Sequence, residues 1–440
     1  MTPSTPSNSA PGLAQCDLLV IGAGPAGMAA ALAAAPSGMA IVLVDDNPAP
    51  GGQIWRDGPD AHIPPAARHM REQLARRANV RLHLGTRVLS APAPGQLLLE
   101  DAERGWCLGW QKLILCNGAR ELLLPFPGWT LPGVTGAGGL QALIKGGMPV
   151  ADQRIVVAGT GPLLLAAAAS ARQAGARVIH IAEQAPRRAV LGFAAQLLRW
   201  PAKLGQALTL ADRHYRTASH VQAAHGSKQL ESVTLRTRGR SETLDCERLA
   251  CGFGLVPNTQ LGQLLGCALT PAGTQAPALL VDCWQATSRP SVYAAGECTG
   301  FGGSERALVQ GAIAGHMAAG NNQAAQKLLP ERARWDAFAR QLRQRFALQP
   351  AIRQLAQPDT LVCRCEDVPL AALQGRGGWT DAKLHSRCGM GACQGRICGA
   401  AAQVLLGWSP PAPKLPLSPA RIGTLALSSA PSTPEPAHGN

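Results

Sequence analysis

The sequence predicts an α/β fold made of two Rossmann-like dinucleotide-binding domains, the second inserted in the first, followed by a small α-rich module that carries cysteines. Three observations predict it. The order strand, glycine turn, Ala-rich helix, strand, acid occurs twice, at 16–45 and at 154–183. Sequence suited to the first unit resumes near 290, beyond the second. Five of the thirteen cysteines, Cys363, Cys365, Cys388, Cys393 and Cys398, fall in one window near the C-terminus.

Taken in order, residues 1–15 are Ser/Pro-rich and are expected to be a disordered lead. The run 16–21 is a short apolar strand, and an Ala-rich helix from Pro25 leads to a second strand at 40–44. Between them, Gly22, Gly24 and Gly27 make a G-x-G-x-x-G turn that also contains Pro25 and Ala26. Gly22 allows the tight turn, Gly24 lets backbone approach a pyrophosphate, and Gly27 lets helix and strand pack closely. The helix start then offers N–H donors to phosphate, and Asp45 stands where an acid accepts from a ribose. Residues 60–79 read as helix and 80–116 as several short strands, ending in Leu115-Cys-Asn-Gly118. A Pro/Gly-rich link follows at 125–133.

The second unit has a strand at 155–158, then Gly159 and Gly161, then Leu164 where the third glycine would stand, and Glu183 after the next strand. A leucine there is expected to push the helix off the strand or re-aim it, so this site is expected to hold NAD(P)H, another nucleotide, or nothing. Strands recur at 230–255, and Tyr293-Ala-Ala-Gly296-Glu297 precedes a helix from Ser304. The expected boundaries are 16–135 and 285–325 for the first domain and 136–284 for the second. A helical connector at 326–357 and the cysteine module at 358–405 follow, with a disordered tail at 409–440.

Composition narrows the function. Hydrophobic residues make up 46% of 440, an ordinary value for a globular protein, and aromatics only 4%. The net charge of +14 is scattered, with no Lys/Arg-rich run and no basic–aromatic interleaving, so no nucleic acid is expected. Such a surface suits an acidic partner subunit or an acidic electron acceptor. The N-terminus has neither a positive segment nor an apolar one of the secretory kind. The longest apolar stretch, 155–171, is broken by Gly and Pro, so no transmembrane segment is expected, and peripheral membrane contact stays open. A cytoplasmic location with reduced thiols is expected, the thiols being ligands or buried hydrophobes.

Cys363 and Cys365 form one C-x-C pair. The second pair is either Cys388/Cys393 or Cys393/Cys398, both C-x₄-C. C-x-C is uncommon for structural zinc, and no C-x₂-C-x₂-C run for a 4Fe-4S cluster is present. A 2Fe-2S cluster on four thiolates fits best, with Gly389, Gly391 and Gly395 freeing backbone N–H groups to approach its sulfides. No redox Cys-x-x-C is present, and none of the ten histidines sits in an acid–base motif, so the catalytic residues are unknown.

Several segments resemble known families. Pro50-Gly51-Gly52-Gln53, Gly118 and Gly296-Glu297 resemble the FAD motifs of two-dinucleotide-domain flavoproteins of the disulfide-reductase-like type. This implies FAD at the first site, with Gln53, Arg56 and Val88 among its contacts, and a helix near Ser304 pointing its N-terminus at the flavin. Cys-Arg-Cys-Glu at 363–366 and Gly-Met-Gly-Ala-Cys-Gln-Gly-Arg-Ile-Cys at 389–398 resemble the bacterioferritin-associated-ferredoxin (BFD-like) type of 2Fe-2S domain. That resemblance implies Cys363, Cys365, Cys393 and Cys398 as ligands, with Cys388 spare. From about 16 to 405 the chain resembles the A (alpha) subunits of bacterial opine oxidases, hydrogen cyanide synthase and D-hydroxyproline dehydrogenase. The resemblance rests on 50–56, 125–133 and 252–258. It implies an electron-transfer subunit, an oxidoreductase component whose substrate is oxidised on a D-amino-acid-oxidase-like flavin subunit (beta), with a further partner in a small ferredoxin-like subunit. Cys116-Asn117 departs from the usual Ala-Thr and bears on the fit near FAD. The competing expectations are a stand-alone NAD(P)H-dependent ferredoxin-type reductase and a non-catalytic scaffold subunit.

Overall fold

A computed structural model of the chain describes residues 14–59, 61, 63–271, 276–409 and 412–427. The first unit is a mainly parallel sheet centred on strand Ala14–Ile21, which pairs with Ile41–Val44 on one side and Gly105–Leu115 on the other. Strand Val80–His83 extends it at one edge, and the antiparallel strands Gln96–Glu100 and Arg87–Ser90 at the other. Val292–Ala294 returns late in the chain to pair with Gly105–Leu115. Helices Pro25–Ala34 and Ser304–Ala318 cover one face. Gly311 and Gly315 let the second helix lie on the first, because a Cβ at either would sit about 2 Å from the carbonyls of Ala26 and Ala30. The buried parts of the central strands, residues 18–21 and 41–44, are apolar throughout, as expected of parallel strands buried on both faces.

The second unit repeats the plan. Strand Arg154–Gly159 lies between Arg177–Glu183 and Arg248–Gly252, with Tyr215–Thr217 and Val134–Gly136 at the edges. An antiparallel meander of Ser219–His225, Ser232–Thr237 and Arg240–Asp245 adjoins it. The helix after the second glycine loop, Leu163–Gln173, starts one residue later relative to its motif than the first. Leu164 is fully buried and fits because Gly252 opposite has no side chain: a Cβ there would be 3.2 Å from Leu164 Cδ2. The leucine is thus absorbed by a glycine and a delayed helix start.

Three boundaries differ from the expectation. The first strand starts at Ala14, so the lead is shorter than 1–15; residues 1–13 lie outside the described residues. The first unit resumes well before 285, since Leu261, Cys267 and Leu279 are buried in the core beneath its sheet and Leu279 N–H donates to Cys298 O at 2.9 Å. The irregular segment 255–284 hid this return, because its described residues form only the three-residue strand Leu255–Pro257, isolated bridges and a five-residue helix, Gln260–Leu264.

The third difference is the tail. Residues 412–427 are an ordered strap ending in helix Ile422–Ala426; 410–411 and 428–440 lie outside the described residues. Leu417 N–H donates to Leu89 O at 2.7 Å. Arg421 caps the hairpin at 100–105, donating to Glu100 Oε2 at 3.2 Å and to the carbonyls of Asp101, Ala102 and Glu103 at 2.9–3.1 Å. Low-complexity composition concealed it, because the strap is held by the surface it meets and not by its own propensity.

Between the units runs the connector: the long helix Asn322–Arg345 and the short helix Pro350–Arg353. The cysteine module follows with a small hairpin, Leu361–Cys363 with Val368–Pro369, and helices Trp379–Ser386 and Cys398–Leu406. It shares a hydrophobic core with the second unit, and Trp129 Nε1 donates to Leu361 O at 2.7 Å. Among the described residues, no helix is long and apolar enough to cross a membrane.

Candidate functional site

The first glycine loop is built as the motif requires. Gly22 has φ +104°, and a Cβ there would lie 2.2 Å from Cys116 O, so only glycine fits. A Cβ on Gly27 would lie 1.7 Å from Gly22 O. Gly24 precedes helix Pro25–Ala34 with no side-chain cap, and Ala26 is buried in the turn that follows. The first N–H groups of that helix therefore have no side-chain acceptor.

Asp45 is buried and sits against this loop. Its carboxylate accepts from Ala23 N–H at 2.5 Å and from Asn47 N–H at 2.8 Å. The 50–53 turn closes over the same loop. Gly51 N–H donates to Ala23 O at 2.7 Å, and a Cβ on Gly52 would be 3.0 Å from Gly24 Cα. Gln53 is exposed and accepts from Arg56 Nη2 at 2.8 Å. Thr86 N–H donates to Asp45 O at 2.9 Å, which places the strand of Val88 next to the acid.

On the other side stand Asn117 and Gly118. Gly118 has φ +64° with open space where a Cβ would be. Asn117 Oδ1 and Arg56 Nε are buried without a hydrogen-bond partner among the described residues. Orphaned buried polar atoms are uncommon in native proteins and call for a ligand or water. Together with the open glycine cradle, they fit a phosphate-bearing dinucleotide such as FAD.

The late segment closes the cradle. Gly296 N–H donates to Gln310 Oε1 at 3.0 Å, and Thr299 Oγ1 meets the same oxygen at 3.2 Å. Glu297 is half-buried, and burial holds its carboxyl above the usual range. The helix after it starts at Ser304, as the sequence implied. Gln310 was not singled out from the sequence, because a glutamine within an Ala/Gly-rich helix carries no motif.

The cysteines fall into two groups. The Sγ atoms of Cys363, Cys388 and Cys398, all buried, lie within 4.8 Å of one another. Donation from Cys388 and Cys398 holds the Cys363 thiol far below its usual pKa, while Cys388 is pushed up to about 12 by Cys363. Cys365 is exposed and pairs with Cys393, accepting from its backbone N–H. Gly391 permits this, since a Cβ there would be 2.3 Å from Cys365 Cβ. The four cysteines of the implied ligand set are thus split between the groups, and Cys388, implied to be spare, joins Cys363 and Cys398. Five thiols around glycine-rich backbone fit a thiolate-held metal site.

Arg120 joins the two halves. It lies two residues beyond Gly118, and its Nε donates to Arg396 O, between Cys393 and Cys398, at 3.1 Å. Nη1 donates to Asn258 Oδ1 at 3.1 Å, and Asn258 Nδ2 donates to Asn117 O at 2.9 Å. Burial, with Arg396 nearby, pulls Arg120 down to about 10. A cavity of about 420 Å³ opens beside this contact, lined by Arg120, Gln260, Cys393, Gln403 and Lys414 and roofed by the strap. Arg120 and Asn258 were not among the sequence candidates, because their partners lie far away in the chain.

At the second loop, Gly159 and Gly161 both take positive φ, +143° and +85°. Glu183 is fully buried, and burial raises its carboxyl to about 7.

Comparison with known proteins agrees with this architecture. The family model of pyridine nucleotide-disulphide oxidoreductases matches residues 16–319. The chain is 33% identical to the HcnB subunit of hydrogen cyanide synthase from Pseudomonas aeruginosa, over 86% of this chain and 90% of that one. It is 32% identical to the A-type subunit of opine oxidase from Rhizobium meliloti, over 87% and 90%. In fold, it resembles the crystal structure of L-proline dehydrogenase from P. horikoshii, with a TM-score of 0.63 and 18% identity, over 94% of this chain and 79% of that one. The paired glycine loops, the split first sheet and these matches identify the chain as a flavoprotein oxidoreductase of the pyridine nucleotide-disulphide oxidoreductase family.

Proposed function

We propose that the chain is the FAD- and 2Fe-2S-containing electron-transfer (alpha) subunit of a heteromeric dehydrogenase or oxidase. The complex acts on an amino acid, imino acid or opine, and its substrate is oxidised on a partner flavin subunit. The observation that carries this reading is the Arg120 bridge, which ties the segment bearing Gly118 to the loop between Cys393 and Cys398. When bound, a flavin exchanges electrons singly or in pairs and a 2Fe-2S cluster singly, so the two together supply electron transfer. The chain's own residues do the holding. Gly22, Gly24, Gly27, Asp45, Gly51 and Gly52 form the dinucleotide cradle, with Gly296 and Glu297 at its far end. Cys363, Cys365, Cys393 and Cys398 supply the cluster's thiolates, and the Cys388 Sγ lies within 4.8 Å of those of Cys363 and Cys398. Relatives named as subunits support the heteromeric reading.

The test is cofactor analysis of anaerobically purified chain, with single Cys→Ser variants. About one FAD and two irons per chain are expected. Cys393→Ser and Cys398→Ser should lose iron, while Cys388→Ser should keep it. A chain that holds neither flavin nor iron defeats the proposal. Iron lost only on Cys388→Ser defeats the ligand assignment alone.

A further inference from the structure

A dinucleotide meets a βαβ unit at three places: the glycine turn, the open N–H end of the helix, and the acid that ends the second strand. In the second unit, the chain's own residues occupy the turn and the acid. Phe346 lies over the turn, 3.8 Å from where a Gly161 Cβ would be. Thr160 Oγ1 donates to Phe346 O at 3.0 Å. Gly161 N–H is already used, donating to Glu183 at 2.7 Å. The same carboxylate accepts from Ala185 N–H at 2.8 Å and from Tyr215 Oη at 3.2 Å.

Gln184, the residue after the acid, is buried and grips the same segment. Its Nε2 donates to Ala347 O at 3.0 Å and to Thr160 Oγ1 at 2.9 Å, and its Oε1 accepts from Gln349 N–H at 2.8 Å. Behind Phe346, the ring of Phe193 stands edge-on at 5.1 Å, in a cluster with Trp200 and Phe338. A nucleotide entering here would have to expose a buried phenylalanine and break three bonds between the cleft and the connector. Among the described residues no side chain of the connector covers the first glycine loop, which the glycine turn at 50–53 approaches.

The covering segment also leads somewhere. Pro350 begins the next helix, and Ile352 and Leu355 pack into the core that contains Cys363, Cys388 and Cys398. We infer that the second dinucleotide cleft takes no nicotinamide nucleotide and serves instead as a socket for residues 346–349, anchoring the connector that carries the cysteine module. The inference deepens the electron-transfer reading on which it rests: electrons enter this chain from a partner and not from NAD(P)H.

The test uses the full FAD-loaded chain. Calorimetric titration with NADH, NADPH and ADP-ribose should show no binding up to millimolar concentration, and anaerobic NADH or NADPH should leave the flavin absorbance unchanged. Binding in the micromolar range, or flavin bleaching, overturns the inference. Hydrogen exchange on the same protein should find the Gly161 and Gln349 amides as protected as those of the central strands, and loop-like exchange overturns it. The double variant Phe346→Ala, Gln184→Ala should speed exchange across 350–363 at least tenfold without affecting 22–27. Unchanged exchange at 350–363 removes the anchoring role. If this variant does not fold, the wild-type titration and exchange still decide. Failure of the electron-transfer reading would appear separately, as missing FAD or iron in the wild-type chain.

Discussion

Arg120 donates from a half-buried position to a carbonyl in the cysteine loop and to Asn258, and burial holds it down to about 10. Replacing it by alanine would leave Arg396 O and Asn258 Oδ1 without a donor and remove the contact between the two halves of the site. On the proposed electron-transfer function, Arg120→Ala is expected to keep FAD and iron while slowing flavin-to-cluster electron transfer at least tenfold, read by anaerobic stopped-flow absorbance. Unchanged transfer would sink the positioning role. Glu183 acts at the same scale but on stability. Its carboxyl is raised from 4.5 to about 7 chiefly by burial. Between those values the folded chain holds a proton that the unfolded chain has lost, so the contribution is present below pH 4.5 and is lost as pH rises towards 7. The loss is on the order of 3 kcal/mol. Denaturant midpoints of wild type should therefore fall between pH 5 and 7.5 more than those of Glu183→Gln, and equal slopes would refute this.

The strap shows how an element with little secondary structure of its own is held by the surface it meets. Glu100 is buried, and Arg421 supplies both a backbone and a side-chain donor to it. Gly105 faces Thr424 so closely that a Cβ would lie 2.2 Å from Thr424 Cγ2. Removing the partner of a buried charge is costly, though the partial exposure of Arg421 moderates it, so Arg421→Ala is expected to cost about 1–3 kcal/mol. Gly105→Ala should expel helix Ile422–Ala426 and give similar protease sensitivity at 412–427. Both variants should bind FAD normally. A strap that stays resistant in both would mean that other contacts hold it.

For the whole molecule, Arg120 links the segment of the first cradle to the loop that carries the thiols. The excess of basic residues, net +14, suits an acidic partner surface. Association with the flavin subunit proposed as partner is expected to slow markedly between about 50 and 500 mM salt, because screening shortens the reach of those charges. Surface-plasmon resonance association rates independent of salt would reject electrostatic steering. The paired glycine motifs, the acids and the cysteine window were legible in the sequence because each is a local pattern with a steric or chemical cause. Gln310, Asn258 and Arg120 were not, because each acts on backbone far away in the chain. The strap was hidden by its Pro/Ala/Ser composition.

The sequence by itself determined the two βαβ units, the place of the first cradle and the identity of the thiols. Backbone sterics at Gly22 and Gly27 and the chemistry of sulfur admit few alternatives. Only the tertiary structure decided which glycine loop stays open. Motif and acid are present in both, but residues 346–349 lie more than 160 positions beyond the second loop and close it through packing and hydrogen bonds that no local pattern encodes. The structure likewise decided how the five thiols group, because burial and approach distance depend on how the glycine-rich loop folds over Cys365.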